Sequence, residues 1–424
     1  MYALVSLAKL IWTIKGVIIL IIDMVYFARM VVISFMVVYS GWYEGRSVLS
    51  PTIDSYHTAI YLLMFEFVFV NVFYYIIVKS KDINFKNDNL QLKFRKNEVK
   101  DKVYIAFIIL NVIFIFLNKQ NISILGIGQS NGEELVLDEN MFTTFMSISL
   151  YVAKYILIGF TIQYFYNSYK FNNSYIYICF SVLIILLINT VFIGQNRMDA
   201  LLPIITSLLL LNYLYRKKML IFNGLIVVFS IASIYFISIL RNTFAYNITE
   251  NKLSLTTDYL QVYLGGIYNI ALSLEIDNLN SNNDFLVFFY DLIRPFLGLN
   301  LLWRSDTMQM SSTIFNFRIF GTEGHVTQII PLIGQFYLPF GVFGVIIAPL
   351  IISTLLRLFL KHLKESYIID SVIIIPIVIR LCFTFFQNVS IFINELSSLI
   401  IIYILLRCMS YILNKNVNKF TERG

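Results

Sequence analysis

Apolar runs of about twenty residues, separated by short polar stretches, recur along most of this chain. Crossing a hydrocarbon layer of about 30 Å takes roughly 20 mostly apolar residues in a helix. Ten segments follow that pattern: 17–40, 56–78, 103–117, 141–166, 175–194, 200–215, 219–240, 332–357, 368–386 and 391–413. The rhythm breaks between 241 and 331, where aromatic and polar positions mix. Within that block, 258–274 carries Tyr259, Tyr263, Ile267, Ile270 and Leu274 at helical spacing beside Gln261, Gly265, Gly266 and Asn269, which predicts an amphipathic helix. The stretch 285–303 is equally apolar but holds Asp291, Arg294 and Pro295 mid-run, with Phe288, Phe289, Tyr290 and Trp303 suited to the headgroup level. Partial immersion of both is expected, as a wall beside a membrane-level cavity. Full insertion would raise the count to twelve and leave every other sidedness unchanged. The expected fold is an all-α polytopic membrane protein, with one integral membrane domain over 1–424. Inside it, 241–331 forms a large extracytoplasmic loop containing amphipathic helices.

Composition agrees. The chain is 58% hydrophobic with a mean hydropathy of +0.75, well above a soluble protein, whose apolar share is nearer half even with Gly counted. The N-terminal run lacks a small-residue cleavage site and continues apolar to Tyr39, so the first span is expected to stay in place. Two loops set the orientation. The segment 79–102 holds Lys79, Lys81, Lys86, Lys93, Arg95, Lys96, Lys100 and Lys102, whereas 119–140 holds Glu133, Glu134, Asp138 and Glu139 with only Lys119. By the positive-inside bias the first is cytoplasmic and the second external. Both termini then lie inside, as do Arg216, Lys217, Lys218, Arg357, Lys361 and Lys364, and the 241–331 block lies outside. The sequence pI near 9.0 is accounted for by these cytoplasmic loops, so no nucleic-acid partner is expected. Cys179, Cys382 and Cys408 fall in predicted spans, which points away from a disulfide framework. No internal repeat is visible.

Five ionisable residues, Asp23, Arg29, Glu66, Arg380 and Glu395, sit inside predicted spans, where a charge costs about 2.5 to 3.5 kcal/mol even on the lenient insertion scale and calls for a partner. Arg29 and Glu66 each lie about ten residues, roughly 15 Å, from the outer end of their helices, and are expected to meet. Arg380 and Glu395 are expected to pair in the same way on the last two helices. The alternative role for Arg380 is a phosphate contact at the base of an external cavity. Arg407, near the inner surface, is expected to snorkel.

The outer face carries the chemical hint. External segments supply Arg46, Arg197, Arg241, Arg294, Arg304 and Arg318 against Lys119 and Lys252, although the chain as a whole has more Lys than Arg. Phosphate and diphosphate recognition favours Arg, whose planar guanidinium offers paired donors to two oxygens. The competing account pairs these arginines with Glu250, Asp258, Glu275, Asp277, Asp284, Asp291, Asp306 and Glu323 of the same block. Arg197 and Asp199 stand in a short turn between two spans, and Arg241 closes another, so all three are anchored to helices, as a preorganised site requires. The run GTEGHVTQ (321–328) places Glu323 and His325 beside glycines that permit tight turns, where either is a candidate proton acceptor. Glu275 and Asp277 have a spacing that some metal-dependent transferases use, but two carboxylates alone are common by chance. There is no P-loop, HExxH or GxSxG motif, and neither a cofactor nor a metal is expected.

Three segments resemble the Wzy-type oligosaccharide repeat-unit polymerases of bacteria: GQNRMDALL (194–202) at an external turn, Arg241 closing a span, and GHVT (324–327) leading into GQFYLPFGVFG (334–344). The likeness is one of topology overall, with motif support only over 190–350. Arg197 to Leu201 and His325 also resemble features of the related O-antigen ligases, an Arg-x-x-x-Leu pattern at a span's outer edge and an external His. The paired Arg-rich repeats of some polymerases, with Gly eleven residues after Arg, are not matched from Arg197 or Arg241.

The resemblance implies inverting glycosyl transfer on the outer side of a bacterial cytoplasmic membrane, building O-antigen or capsule. Donor and acceptor would be polyprenyl diphosphate-linked oligosaccharides, with a flippase and a chain-length regulator as companions. Arg197, Arg241, Arg294, Arg304, Arg318 and Arg380 would bind the diphosphate or glycan, and His325, Glu323 or Asp199 would take the hydroxyl proton. A lipid-linked oligosaccharide flippase and an O-antigen ligase are the alternative readings.

Overall fold

A computed structural model describes residues 14–40, 50–79, 102–117, 122–124, 141–193, 197–240, 252–276, 283–303, 308–322, 328–364 and 366–421. The ten predicted segments are helical over most of their length, although 175–194 ends in a strand and 332–357 is broken. α1 (Ile14–Phe27) runs through a π-helical stretch, Ala28–Val32, into α2 (Ile33–Ser40); α3 (Ile53–Lys79), α4 (Lys102–Leu117), α5 (Met141–Asn172) and α6 (Tyr175–Asn189) follow. Next come α7 (Arg197–Tyr215), a 3-10 turn (Arg216–Met219) and α8 (Leu220–Leu240). The block predicted as a loop contains α9 (Lys252–Tyr263), α10 (Ile267–Leu274), α11 (Asp284–Ile293), the short α12 (Leu299–Leu302) and α13 (Ser311–Phe320). The chain closes with α14 (Leu332–Phe340), α15 (Gly344–Lys364), α16 (Ile368–Phe383) and α17 (Val389–Thr421). A two-stranded antiparallel ribbon of three residues per strand, β1 (Ile122–Ile124) with β2 (Val191–Ile193), pairs Ser123 with Phe192, in a chain that is otherwise helical, as expected.

Among the described residues, five stretches are long and apolar enough to cross a membrane: Leu20–Tyr39, Ile53–Phe73, Phe145–Asn172, Leu332–Lys364 and Val389–Leu413. By length and composition the chain is a helical membrane protein. Its outer helices are apolar on the surface they expose. In α4, Ile105, Ile109, Val112, Ile113 and Phe116 are exposed while Val103, Tyr104, Asn111 and Phe114 are buried, so the outward stripe is as apolar as the packed one. A soluble helix would carry polar groups there. At the centre, α16 is buried from Ile368 to Cys382. Helix is the structure such an Ile-rich segment can adopt there, because only helix satisfies its backbone groups within the segment. Gly159 lets α5 close on α16, since a Cβ there would lie 3.1 Å from the Val372 side chain.

Two predicted elements are corrected. The amphipathic helix expected over 258–274 is broken at Gly265, whose φ of +56° reverses the chain, and α10 is buried on nearly every side rather than on one face. The span 332–357 is likewise interrupted by Gly341 (φ +55°) and the 3-10 turn Gly341–Phe343. Much of the glycine-rich motif at 334–344 is explained by packing. A Cβ on Gly334 would sit 2.0 Å from Ser273 Oγ of α10, and one on Gly344 would sit 2.5 Å from the Phe336 carbonyl.

Candidate functional site

Three of the polar nodes inside the bundle bear on the expected site residues. The first is Arg29, in the π-helical stretch, a local widening that re-aims a side chain and recurs at functional positions. Fully buried, it donates from Nη1 to Glu66 Oε2 at 2.8 Å, from Nη2 and Nε to the Gly265 carbonyl at 3.1 and 3.3 Å, and from Nη1 to the Phe385 carbonyl at 3.4 Å. Its guanidinium also stands 5.7 Å from the centre of the Tyr26 ring. The expected Arg29–Glu66 pair is present, and it does more than join two helices. Because Arg29 lies midway along Leu20–Tyr39, the α9–α10 turn reaches the middle of that helix. There it meets the turn between α16 and α17, and one guanidinium satisfies a carbonyl from each. A Cβ on Gly265 would lie 3.0 Å from the Phe386 carbonyl, so the tip admits only glycine without displacement.

The second node is the expected pair Arg380–Glu395. Arg380 Nε donates to Glu395 Oε2 and Nη1 to Gln387 Oε1 at 3.2 Å. Tyr151 on α5 donates to Glu395 Oε1 at 2.8 Å, and its hydroxyl stands 3.0 Å from that of Tyr155. Arg380 is therefore engaged by an acid and an amide.

The third node is Asp291 of α11. It accepts from the Ser311 amide at 3.0 Å, from the Ser311 hydroxyl, and from Gln335 Nε2 at 2.6 Å. Gln335 Oε1 in turn accepts from the Val389 amide at 2.8 Å. One side chain of α14 thereby ties α11, α13 and the start of α17 together. Burial pushes the Asp291 carboxyl up to about 6, against the three hydrogen bonds, which favour its charged form.

The site residues expected from sequence divide as follows. Arg318 donates to Glu275 Oε2 at 2.6 Å, so for this arginine the acid-pairing account holds. Glu275 Oε1 accepts from the Thr52 amide at 2.7 Å. Burial opposes ionisation of Glu275, but the bonds from Thr52, Arg318 and Ser55 outweigh it and hold the carboxyl below its usual range. Arg294 caps the C-terminus of α11, half-buried, and its guanidinium donates no hydrogen bond to another described residue. Leu297, three residues on, donates its amide to Ser397 Oγ of α17 at 3.0 Å and fixes this corner. Arg197 opens α7 with Asp199 in the first turn. Pro203 withholds the amide that the Asp199 carbonyl would otherwise receive. Arg46, Arg241, Asp277, Arg304, Glu323 and His325 lie outside the described residues.

Lys154 was missed. It sits about a third of the way along Phe145–Asn172, buried, and donates to the Val191 carbonyl of β2 at 3.0 Å. That contact sets a cation beneath the strand that leads to Arg197. The signal was available: a lysine alone in the run LYVAKYIL (150–157) carries the same charge cost as the five ionisable residues that were noticed.

Comparison of the chain with protein-family models, with curated proteins and with solved structures returns no match.

Proposed function

We propose that this protein is a membrane glycosyltransferase that polymerises lipid-linked oligosaccharide repeat units. It would take the growing glycan from a polyprenyl diphosphate and pass it to the sugar hydroxyl of a second lipid-linked unit. The observation that carries this reading is the arginine bias of 241–331, Arg241, Arg294, Arg304 and Arg318 against Lys252, in a block whose helices pack into the bundle. Arg197, Arg241 and Arg294 are the diphosphate ligands in this reading, and Lys154, bound to the Val191 carbonyl of β2, adds a cation below the strand that leads to Arg197. Arg318 and Arg380, already held by acids, support the architecture instead. Fixed cations where negative charge develops on the leaving diphosphate contribute about 3 to 4 kcal/mol per key donor. His325, Glu323 or Asp199 accepts the hydroxyl proton. Ten spans, an external 241–331 block, cytoplasmic termini and the bacterial cytoplasmic membrane belong to the same proposal, as do a flippase and a chain-length regulator as partners.

A flippase for the same lipids is the second reading. The interrupted helices favour it, since a turn at mid-span and a broken α14–α15 are features that transporters place at their binding sites. One experiment separates the two. In a strain lacking this protein, surface glycan run on a gel is expected to show single repeat units on the final acceptor, and loss of all glycan would favour the flippase. Arg197→Ala and Arg241→Ala are each expected to insert normally and abolish elongation, and a wild-type ladder from both would overturn the diphosphate assignment.

A further inference from the structure

Where α5 ends and α6 begins, four tyrosines and three basic residues collect. Tyr166 and Tyr169 of α5 meet the Tyr215 ring edge-on, with centroids 5.4 and 5.0 Å apart, so the ring platform is fixed. Lys218 lies across it: Nζ is 4.9 Å from the centre of Tyr169, 5.2 Å from that of Tyr175, and donates to Asn173 Oδ1 at 2.8 Å. Lys170 covers Tyr166 at 4.9 Å. Arg216, at the end of α7, is exposed and donates no side-chain hydrogen bond to a described residue. Asn173 (φ +48°) and Arg216 (φ +51°) are the two non-glycine residues with left-handed backbone among those described, and both flank this cluster.

The charge here is uncompensated by neighbours in sequence. Between 141 and 249 the chain has one acid, Asp199, in the first turn of α7 and so at the opposite end of that helix. The cluster also sits at the end of a membrane-length helix, Phe145–Asn172, with Phe171 and Tyr175 exposed beside it, which is the composition of a membrane interface.

We propose that the ends of α5, α6 and α7 form a binding site for the phosphate of an anionic phospholipid headgroup. A basic residue that serves only to orient a span needs no seat. Lys218 has one: two rings and an amide hold its ammonium in place, with two N–H groups left to give, and Arg216 adds a guanidinium whose paired donors match phosphate oxygens. Phe171 and Tyr175, exposed beside the cluster, offer the aromatic rings that suit the headgroup level.

The test uses the full chain purified in detergent, with lipid retention read by native mass spectrometry. Phosphatidylglycerol is expected to be retained over phosphatidylcholine, and the Arg216→Gln/Lys218→Gln protein is expected to lose roughly thirtyfold in that preference. Tyr169→Phe should keep retention and Tyr169→Leu should lower it, because the ring rather than the hydroxyl seats Lys218. Equal retention of the two lipids by the wild type would overturn the proposal. So would an equal loss from Lys361→Gln/Lys364→Gln, which removes basic charge from a different helix end. Displacement of the lipid by millimolar inorganic phosphate would assign the same site to free phosphate and overturn the lipid source. A cooperative thermal unfolding transition in each variant is the folding control.

Discussion

Around Arg29, a cation is met by an acid and by the carbonyls of two buried turns; at the ends of α5, α6 and α7, Lys218 rests on tyrosine rings with no carboxylate among the described residues as its partner. The contrast follows from depth. Away from water, an ionised group is tolerated only with a counter-charge and with its remaining donors satisfied, whereas at the interface an ammonium keeps its hydration and needs only a surface to lie on. The two regions therefore differ in what their charges can do. Arg29 and Glu66 hold the α9–α10 turn against the bundle, Arg380 and Glu395 tie α16 to α17, and Lys218 keeps two N–H groups beyond its bond to Asn173.

The largest effect expected to break this contrast is Arg29→Ala. It leaves Glu66 buried without its partner and takes donors from the Gly265 and Phe385 carbonyls, at a cost of about 3 to 5 kcal/mol. Thermal unfolding in detergent measures it, and hydrogen exchange at the amides of Gly265 and Gly266 should rise before the rest of the protein opens. Arg29→Leu combined with Glu66→Leu should recover part of the loss, since two apolar groups remove the orphaned charge. If the single variant unfolds like the wild type, the turn is held by packing alone.

Next in size is the pH response of Asp291. Its carboxyl sits at about 6 in the folded protein, up from an ordinary 3.8. The folded state thus holds the proton more tightly than the unfolded state. The contribution is fully present below about pH 4, declines as pH rises toward 6 and is lost above it. The span corresponds to about 3 kcal/mol as an upper bound. Unfolding temperatures are expected to be higher at pH 5 than at pH 7.5, and Asp291→Asn, which carries no charge at either pH, should flatten the slope. A slope that survives in the variant belongs to another group.

Sequence foretold the interior pairs because the membrane leaves few options: two opposite charges at equal depth on neighbouring helices have to meet, and Arg29–Glu66 and Arg380–Glu395 do. The span-length helices were legible for the same reason. The α9–α10 reversal was not. Gly265 and Gly266 read as polar breaks on a helix lying at the surface, because periodicity reports which face is apolar and says nothing of how deep a turn is inserted. That depth is set by Arg29, more than two hundred residues away in sequence. Arg318 illustrates the same limit. Its partner Glu275 is oriented by the Thr52 amide at the start of α3, a contact that no local pattern encodes. Lys154 was readable and was passed over among apolar neighbours.

The smallest effect sharpens the contrast most. Lys218→Gln removes two ring contacts and one hydrogen bond to an exposed asparagine. Cation–π contacts at exposed positions are worth about 0.5 to 1 kcal/mol, and a replacement amide can still reach Asn173, so the expected loss of stability is about 1 kcal/mol or less. That is severalfold below the Arg29→Ala cost, measured by the same unfolding experiment in the same detergent. A loss as large as that of Arg29→Ala would mean that the ring platform with its lysine is a structural keystone like the interior nodes, with no donor to spare. A small loss, together with normal insertion, leaves Lys218 as a charge that the fold positions without depending on it, which is the condition a headgroup ligand has to meet.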